Sequence, residues 1–134
     1  MTKLPRANKF NAKKAYRCLS CGAPLPGKAD ACMHCGDSRV HTFDSRAEAR
    51  RYDALRLKLK AGFISELQVH PRYPLCANGK LLGYYEADFT YVIPGHGVVC
   101  EDVKGGRATD TPLSKWKRRH FEAQTGIPVE VVRM

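Results

Sequence analysis

Two aspartates and a lysine lie in strand-like runs that can bring their side chains together. Residues 84–104 read as two extended runs joined by the turn sequence Pro-Gly-His-Gly. Asp102 and Lys104 are two residues apart in the second run, so they point to the same face of its strand. If the turn has an odd number of residues, or a bulge shifts the register, Asp88 of the first run lies opposite Asp102 or Lys104. Two carboxylates and one ammonium group then converge.

Such a group of charges is typical of a site for a divalent cation. Carboxylate oxygens are the ligands that Mg²⁺ prefers, and Mg²⁺ keeps several waters and binds substrate phosphate as well. A bound cation polarises a phosphoryl oxygen and lowers the pKa of an attacking water. The lysine can hold that water or stabilise charge in the transition state. The three residues therefore predict metal-dependent hydrolysis of a phosphodiester.

The elements that must position these residues follow from local patterns. Ser45 followed by Glu48 fits a capping box, which predicts a helix from Arg46 to about Lys60 that is stopped by Gly62. Capping alone is a sufficient reason for Glu48. Beyond this helix, residues 63–75 predict a strand interrupted by a proline, and the histidine before that proline is expected in a loop.

A second helix and a final strand complete the order of elements. Pro112 suits the first turn of a helix, Gly126 ends it, and residues 129–132 form the last strand. The predicted order is helix, strand, hairpin of two strands, helix and strand, or αβββαβ. We therefore expect an α/β protein.

Asp88 followed by Asp102-Val103-Lys104 resembles the D…(D/E)xK signature of the PD-(D/E)XK nuclease superfamily, with Ala87 where the family name has proline. The αβββαβ order resembles the restriction-endonuclease-like core of the same superfamily. Many of its members have a glutamate on the first helix that points to the metal site. The resemblance implies magnesium or manganese as the catalytic cation. It implies that the metal ligands are Glu48, Asp88 and Asp102, with Lys104 completing the catalytic set. Whether Glu66 or Glu101 joins the site stays open.

Four cysteines form two CxxC pairs, each followed by glycine. They are Cys18, Cys21, Cys32 and Cys35. This spacing predicts a structural zinc ribbon with four thiolate ligands. The chain begins without the apolar segment of a secretory signal, so we expect a cytoplasmic protein, in which disulfide pairing is the weaker alternative. The ribbon can bind nucleic acid, bind protein or brace the neighbouring domain.

The formal net charge of +10 indicates a polyanionic partner, with nucleic acid favoured over a membrane surface. A merely solvated surface is the alternative. Contacts with DNA phosphates are expected from the N-terminal arm, the two helices and the loop between the last strands. The expected DNA-binding residues are Lys13, Lys14, Arg50, Arg51, Arg107, Lys115, Lys117 and Arg118.

We predict three segments: a basic flexible arm (1–15), the zinc ribbon (16–42) and a PD-(D/E)XK nuclease-like domain (43–134). The domain is similar to compact phage nucleases and archaeal-type Holliday junction resolvases. That similarity implies an endonuclease selective for branched DNA, acting as a homodimer that cuts two strands. The alternatives are a non-catalytic nucleic-acid-binding adaptor that keeps the fold and a module that recruits another protein.

Overall fold

The structure is a computed structural model that describes residues 13–105 and 110–134. Its elements are β1 (Ala15–Cys18), β2 (Pro24–Leu25), β3 (Val40–Phe43), α1 (Arg46–Lys60), β4 (Ser65–Val69), β5 (Arg72–Ala77), β6 (Lys80–Glu86), β7 (Phe89–Ile93), β8 (Gly97–Lys104), α2 (Pro112–Thr125) and β9 (Val129–Arg133). The protein is therefore mixed α/β, as expected. Within these two ranges no helix has the length and apolar character needed to cross a membrane.

The strands form three sheets. The main sheet has the order β4-β7-β8-β9, in which β8 and β9 run parallel and the other neighbours run antiparallel. A small sheet of order β2-β1-β3 carries the cysteine pairs, and β5 and β6 form a separate hairpin. The parallel pair is possible because α2 makes the crossover from β8 to β9.

Helix α1 covers one face of the main sheet and begins and ends where the sequence predicts. Ser45 is the N-cap, and its hydroxyl accepts a hydrogen bond from the Glu48 N–H. Tyr52 and Leu55 recur at helical spacing, are buried, and share a core with Phe89 of β7. This packing fixes the start of α1, and with it Glu48, against the sheet.

Helix α2 covers the opposite face. Thr111 caps its first turn, and Pro112 is its first residue. Gly126 ends it with φ +75°, a left-handed conformation that favours glycine. Phe121 is fully buried and packs in a second cluster with Tyr85, Ala87 and Cys100. The central strands β7 and β8 are therefore covered on both sides, whereas the edge strands β4 and β9 stay partly exposed.

The run 84–104 differs from the prediction of two strands, because its first half belongs to two different sheets. Tyr85 lies on β6 and packs under α2, whereas Phe89 and Tyr91 lie on β7 and pack under α1. The chain crosses between the two cores at Asp88, so these side chains do not share one face. Hairpin β5–β6 is inserted between β4 and β7, and it also divides the single strand predicted over 63–75.

The register of β7 and β8 agrees with the expected convergence. Ile93 pairs with Gly97, which leaves a turn of three residues, an odd number. Phe89 pairs with Glu101, so Asp88, the residue before β7, lies opposite Asp102.

Candidate metal sites

Three side chains converge at the end of the main sheet that lies beside the start of α1. They are Glu48 on the first turn of α1, His70 just after β4 and Asp88 just before β7. One ligand atom from each lies within 4.8 Å of the others. The His70 Nε2 atom is 3.9 Å from Glu48 Oε2 and 3.7 Å from Asp88 Oδ1. Ligands about 2.1 Å from an octahedral cation are about 3 Å apart when adjacent and about 4.2 Å apart when opposite, so these atoms can hold one cation.

Asp88 is the most strongly perturbed carboxyl of this group. Burial raises its pKa to about 10, and the neighbouring carboxyl groups of Glu48 and Asp102 add to the increase. The Val103 N–H donates a 2.6 Å hydrogen bond to Asp88 Oδ2, which fixes the orientation of the carboxyl group. A cation bound among these groups would offset their mutual repulsion and favour the ionised form. The group is therefore suited to binding a cation.

Asp102 lies across from Asp88 but is not part of the three-residue group. Its Oδ2 atom accepts a 3.0 Å hydrogen bond from the Arg118 guanidinium and lies 3.5 Å from Lys104 Nζ. The expected pairing of Asp102 with Lys104 on one face of β8 is thus present. The predicted ligand set of Glu48, Asp88 and Asp102 differs from the observed group, in which a histidine stands closer than Asp102.

Arg118 was expected on an exposed DNA-binding face, and this prediction is wrong. Its side chain is only 10% exposed and binds three groups. Besides Asp102, they are the carboxylate of Asp110 and the hydroxyl of Ser114. The side chain points inward from α2 and pairs with Asp102. A buried carboxylate without a partner would be costly, so this pairing stabilises the inward orientation.

His70 is the site residue that sequence reasoning assigned to a loop without a role. It has φ +51°, a left-handed conformation that costs a residue with a side chain about 1–3 kcal/mol and often marks functional positions. Its N–H donates to the Asp88 carbonyl oxygen at 2.9 Å. No short spacing links it to Glu48 or Asp88, so only the folded backbone brings the three together.

A second histidine holds the other side of the His70 ring. His41 Nε2 lies 3.1 Å from His70 Nδ1, and the two rings meet edge to face. Burial lowers the pKa of His41, and the adjacent His70 lowers it further. The Phe43 ring lies against both imidazoles. Strand β3 therefore fixes the position of the His70 ring.

A cleft of about 560 Å³ opens beside this group, between hairpin β5–β6 and the start of α2. Its charged lining residues are three cations, Arg72, Lys104 and Lys117, and two carboxylates, Glu86 and Asp102. Tyr85 also lines this cleft, and its hydroxyl is, among the described side chains, a buried polar group without a hydrogen-bond partner. The cleft thus offers several hydrogen-bond donors to an anionic ligand.

The other predicted phosphate contacts fall into three classes. Lys13, Lys14, Arg50 and Lys115 are exposed. Arg107 lies outside the described residues. Arg51 was expected to face DNA, but its guanidinium binds both carboxylate oxygens of Glu101 at 2.8 and 2.6 Å. Arg51 is therefore engaged in the interior and is not available in this structure as a phosphate contact.

Glu101 faces away from the metal group. It is fully buried and accepts hydrogen bonds from Arg51 and from the Tyr91 hydroxyl. Glu66, the other open candidate, is exposed on a bulge of β4. Neither glutamate belongs to the group around Asp88.

The four paired cysteines form a second candidate metal site, as predicted. Their sulfur atoms lie within 4.8 Å of one another, with Cys18 and Cys35 3.6 Å apart and Cys21 and Cys32 3.8 Å apart. A tetrahedral zinc site with Zn–S bonds of about 2.3 Å has sulfur separations of about 3.8 Å. The arrangement therefore fits zinc.

The sheet that carries these cysteines is anchored on α1. Arg17 binds both carboxylate oxygens of Asp53 at 2.9 Å. Arg56 donates hydrogen bonds to the carbonyl oxygens of Leu19 and Ser20. The ribbon therefore contacts the helix that carries Glu48, which supports the bracing role among the three that the sequence left open.

No curated protein and no solved structure matches the chain. A family model described as a protein of unknown function, DUF1064, matches residues 37–130. The matched range includes Glu48, His70, Asp88 and the Asp102–Lys104 pair, and it begins after the last of the four paired cysteines. Because this range covers more than half of the sequence, the chain belongs to the DUF1064 family.

Proposed function

We propose that the protein is a DNA endonuclease that depends on magnesium or manganese. The observation that carries the proposal is the convergence of Glu48, His70 and Asp88, with Asp102 and Lys104 directly across from Asp88. Ligands for a cation, and an ammonium group that is paired with Asp102 beside an open cleft, suit hydrolysis of a phosphodiester. The resemblance to the PD-(D/E)XK signature and the αβββαβ order of the main elements support the same reaction.

Each residue of the site has its own role in the proposed reaction. When bound, the cation supplies a Lewis acid that polarises a phosphoryl oxygen and lowers the pKa of an attacking water. Glu48 and Asp88 supply carboxylate ligands, and Asp102 supplies a further carboxylate that also orders the ammonium group of Lys104. The Lys104 ammonium stabilises the negative charge that develops on the phosphoryl group.

The chemical change is a simple displacement. The water oxygen forms a bond to phosphorus, one ester P–O bond breaks, and the proton lost by water is returned to the leaving oxygen. The exposed cations Lys13, Lys14, Arg50 and Lys115 hold the DNA by its phosphates, without reading sequence. Selection of branched DNA by a homodimer is part of the proposal and rests on the resemblance to compact resolvases.

The direct test is nicking of supercoiled plasmid by zinc-loaded protein. We expect nicked circles when magnesium or manganese is added and none without either cation. Asp88→Asn should abolish nicking, whereas Asp30→Asn, the same change at an exposed ribbon residue, should keep it. Cleavage by Asp88→Asn at the wild-type rate would contradict the assignment of the site.

A non-catalytic nucleic-acid-binding adaptor is the second candidate. One observation favours it: Asp102 is already paired with two cations of the protein, the Arg118 guanidinium at 3.0 Å and the Lys104 ammonium at 3.5 Å, so its charge is neutralised without a bound metal. The adaptor predicts salt-sensitive DNA binding but no plasmid nicking with either cation. The same plasmid assay, combined with a binding measurement, therefore separates the two candidates.

A further inference from the structure

His70 stands out in the proposed metal site because it is a nitrogen donor among carboxylates. Its Nε2 atom faces both Glu48 and Asp88, at 3.9 and 3.7 Å. The His70 side chain is 15% exposed, close to the 12% and 14% of the two carboxylates. All three therefore share one partly buried environment, and the imidazole is as accessible to a small cation as the oxygens are.

The backbone aims the imidazole at the carboxylates. His70 adopts φ +51° between β4 and β5. Its N–H donates to the Asp88 carbonyl oxygen, and the Pro71 carbonyl oxygen accepts from the Ala87 N–H. These two bonds join the segment around His70 to the segment around Asp88. The ring is thus held next to Asp88 by main-chain contacts on both sides.

The far side of the ring is held by the ribbon sheet. His70 Nδ1 lies 3.1 Å from His41 Nε2, and His41 lies on β3. Histidines that bind metals usually donate their second ring N–H to an acceptor, which leaves the other nitrogen free for the cation. In the tautomer that leaves its Nε2 atom unprotonated, His41 provides that acceptor. Its neighbour on β3, Val40, pairs with the zinc-site residue Cys18, so the cysteine site and His70 are joined through one strand.

We propose that His70 is a nitrogen ligand of the cation held by Glu48 and Asp88, that His41 is its positioning residue, and that the site therefore prefers manganese to magnesium. Magnesium favours oxygen ligands alone, whereas manganese, a first-row transition ion that also binds carboxylates, accepts an imidazole nitrogen beside them. This inference rests on the metal site of the proposed function, but it does not require that the protein cuts DNA.

The test is binding of Mn²⁺ to protein that already carries one zinc per chain. Titration should show Mn²⁺ binding at least about tenfold tighter than Mg²⁺. Pulsed electron paramagnetic resonance of the bound Mn²⁺ should show coupling to a ¹⁴N nucleus. His70→Gln should abolish this coupling and weaken Mn²⁺ binding by about 10- to 100-fold, with a smaller effect on Mg²⁺. His96→Gln, in the exposed turn between β7 and β8, is the matched control and should match the wild type.

Two variants of His41 test the positioning role separately. His41→Phe removes the acceptor and should weaken Mn²⁺ binding by about tenfold. His41→Gln restores an acceptor, so it should recover most of the affinity and keep the ¹⁴N coupling. Zinc content and circular dichroism establish that each variant is folded. If His70→Gln fails to fold, the two His41 variants still test the inference.

Some outcomes would overturn the inference. Bound Mn²⁺ without ¹⁴N coupling, or unchanged Mn²⁺ affinity in His70→Gln, removes His70 from the ligands while plasmid nicking can still proceed through the carboxylates. Equal loss of affinity in His41→Phe and His41→Gln removes the positioning role. A nitrogen-coupled Mn²⁺ in a protein that cuts no DNA would leave the inference standing and refute the proposed nuclease.

Discussion

Asp88, just before β7, and Asp102 on β8 lie opposite each other, and hydrogen bonds to the main chain of β8 fix Asp88 there. The Asp88 N–H donates to the Glu101 carbonyl oxygen at 3.1 Å, and the Val103 N–H donates to Asp88 Oδ2. The residues on both sides of Asp102 thus hold Asp88 in place. A carboxylate of the proposed cation site and the Asp102–Lys104 pair are positioned by the same stretch of sheet.

Removing any of these side chains should stop cleavage with little effect on DNA binding. Asp88→Asn, Asp102→Asn and Lys104→Ala should each lower the cleavage rate on the order of a thousandfold, or about 4 kcal/mol of barrier. Binding should stay near normal because it comes from exposed cations elsewhere. Single-turnover cleavage and filter binding measure the two effects. Asp30→Asn and Lys80→Ala, at exposed positions, are the matched controls.

The pH dependence of stability should report the buried Asp88 carboxyl. Its pKa is raised from 3.8 to about 10 in the folded protein, so between these values the folded state keeps a proton that the unfolded state releases. The free energy of unfolding should therefore fall as pH rises, by at most about 1.4 kcal/mol per pH unit for one proton.

Urea unfolding of zinc-loaded protein at several pH values, without added magnesium or manganese, checks this prediction. Asp88→Asn should be less sensitive to pH than the wild type and more stable at alkaline pH. Asp30→Asn should keep the wild-type dependence, since Asp30 is exposed. An Asp88→Asn variant with the full wild-type slope would mean that another group titrates.

The local patterns in the sequence predicted the parts of the fold that depend on near neighbours. The start of α1 at Ser45 and the end of α2 at Gly126 follow from capping chemistry. The convergence of Asp88 with Asp102 was conditional on an odd number of residues in the turn, and the structure meets that condition with three. Each depends on a few consecutive residues, which is the range over which sequence patterns are informative.

The features that were wrong or missed depend on contacts between distant segments. Arg51 and Arg118 read as surface cations because helical spacing does not reveal a buried carboxylate on another element. The role of His70 depends on a left-handed backbone and on the path of β3, neither of which has a sequence signal. The separate β5–β6 hairpin was read as part of longer strands, because extended runs do not show where a chain changes sheets.

The Arg51–Glu101 pair should contribute to stability and not to DNA binding. Glu101 is fully buried, so Arg51→Met leaves the Glu101 carboxylate without its cationic partner and should cost about 3–5 kcal/mol. Restoring neutrality with Arg51→Met plus Glu101→Gln should recover part of this loss. Urea unfolding gives the free energies, and DNA affinity measured on folded protein should change little. A large loss of affinity with unchanged stability would instead return Arg51 to the DNA-binding surface.

The cysteine site should hold one zinc per chain. Elemental analysis of protein purified without chelators checks the number. Cys32→Ser plus Cys35→Ser should remove the zinc and disorder the ribbon, because a bound metal supplies most of the folding energy of such a small unit. Cys76→Ser, which changes an exposed cysteine outside the site, should keep the full zinc content. Zinc retained by the double variant would show that other residues bind it.

The choice of substrate should follow from how the protein holds DNA. In the proposed function the exposed cations contact phosphates, which carry no sequence information, so selectivity is expected to come from the shape of the DNA. A four-way junction offers two symmetry-related strands, which a two-fold symmetric dimer can cut together. We therefore expect cleavage of an immobile junction at least about tenfold faster than cleavage of a linear duplex, with paired incisions across the junction.

Labelled junction, Y-fork, duplex and single strand should be compared at one salt concentration, since affinity for all four falls with salt. Asp88→Asn serves as the control for contaminating nucleases, and analytical ultracentrifugation gives the number of subunits. Equal rates on the duplex and the junction would remove the selectivity for branched DNA and leave a general endonuclease.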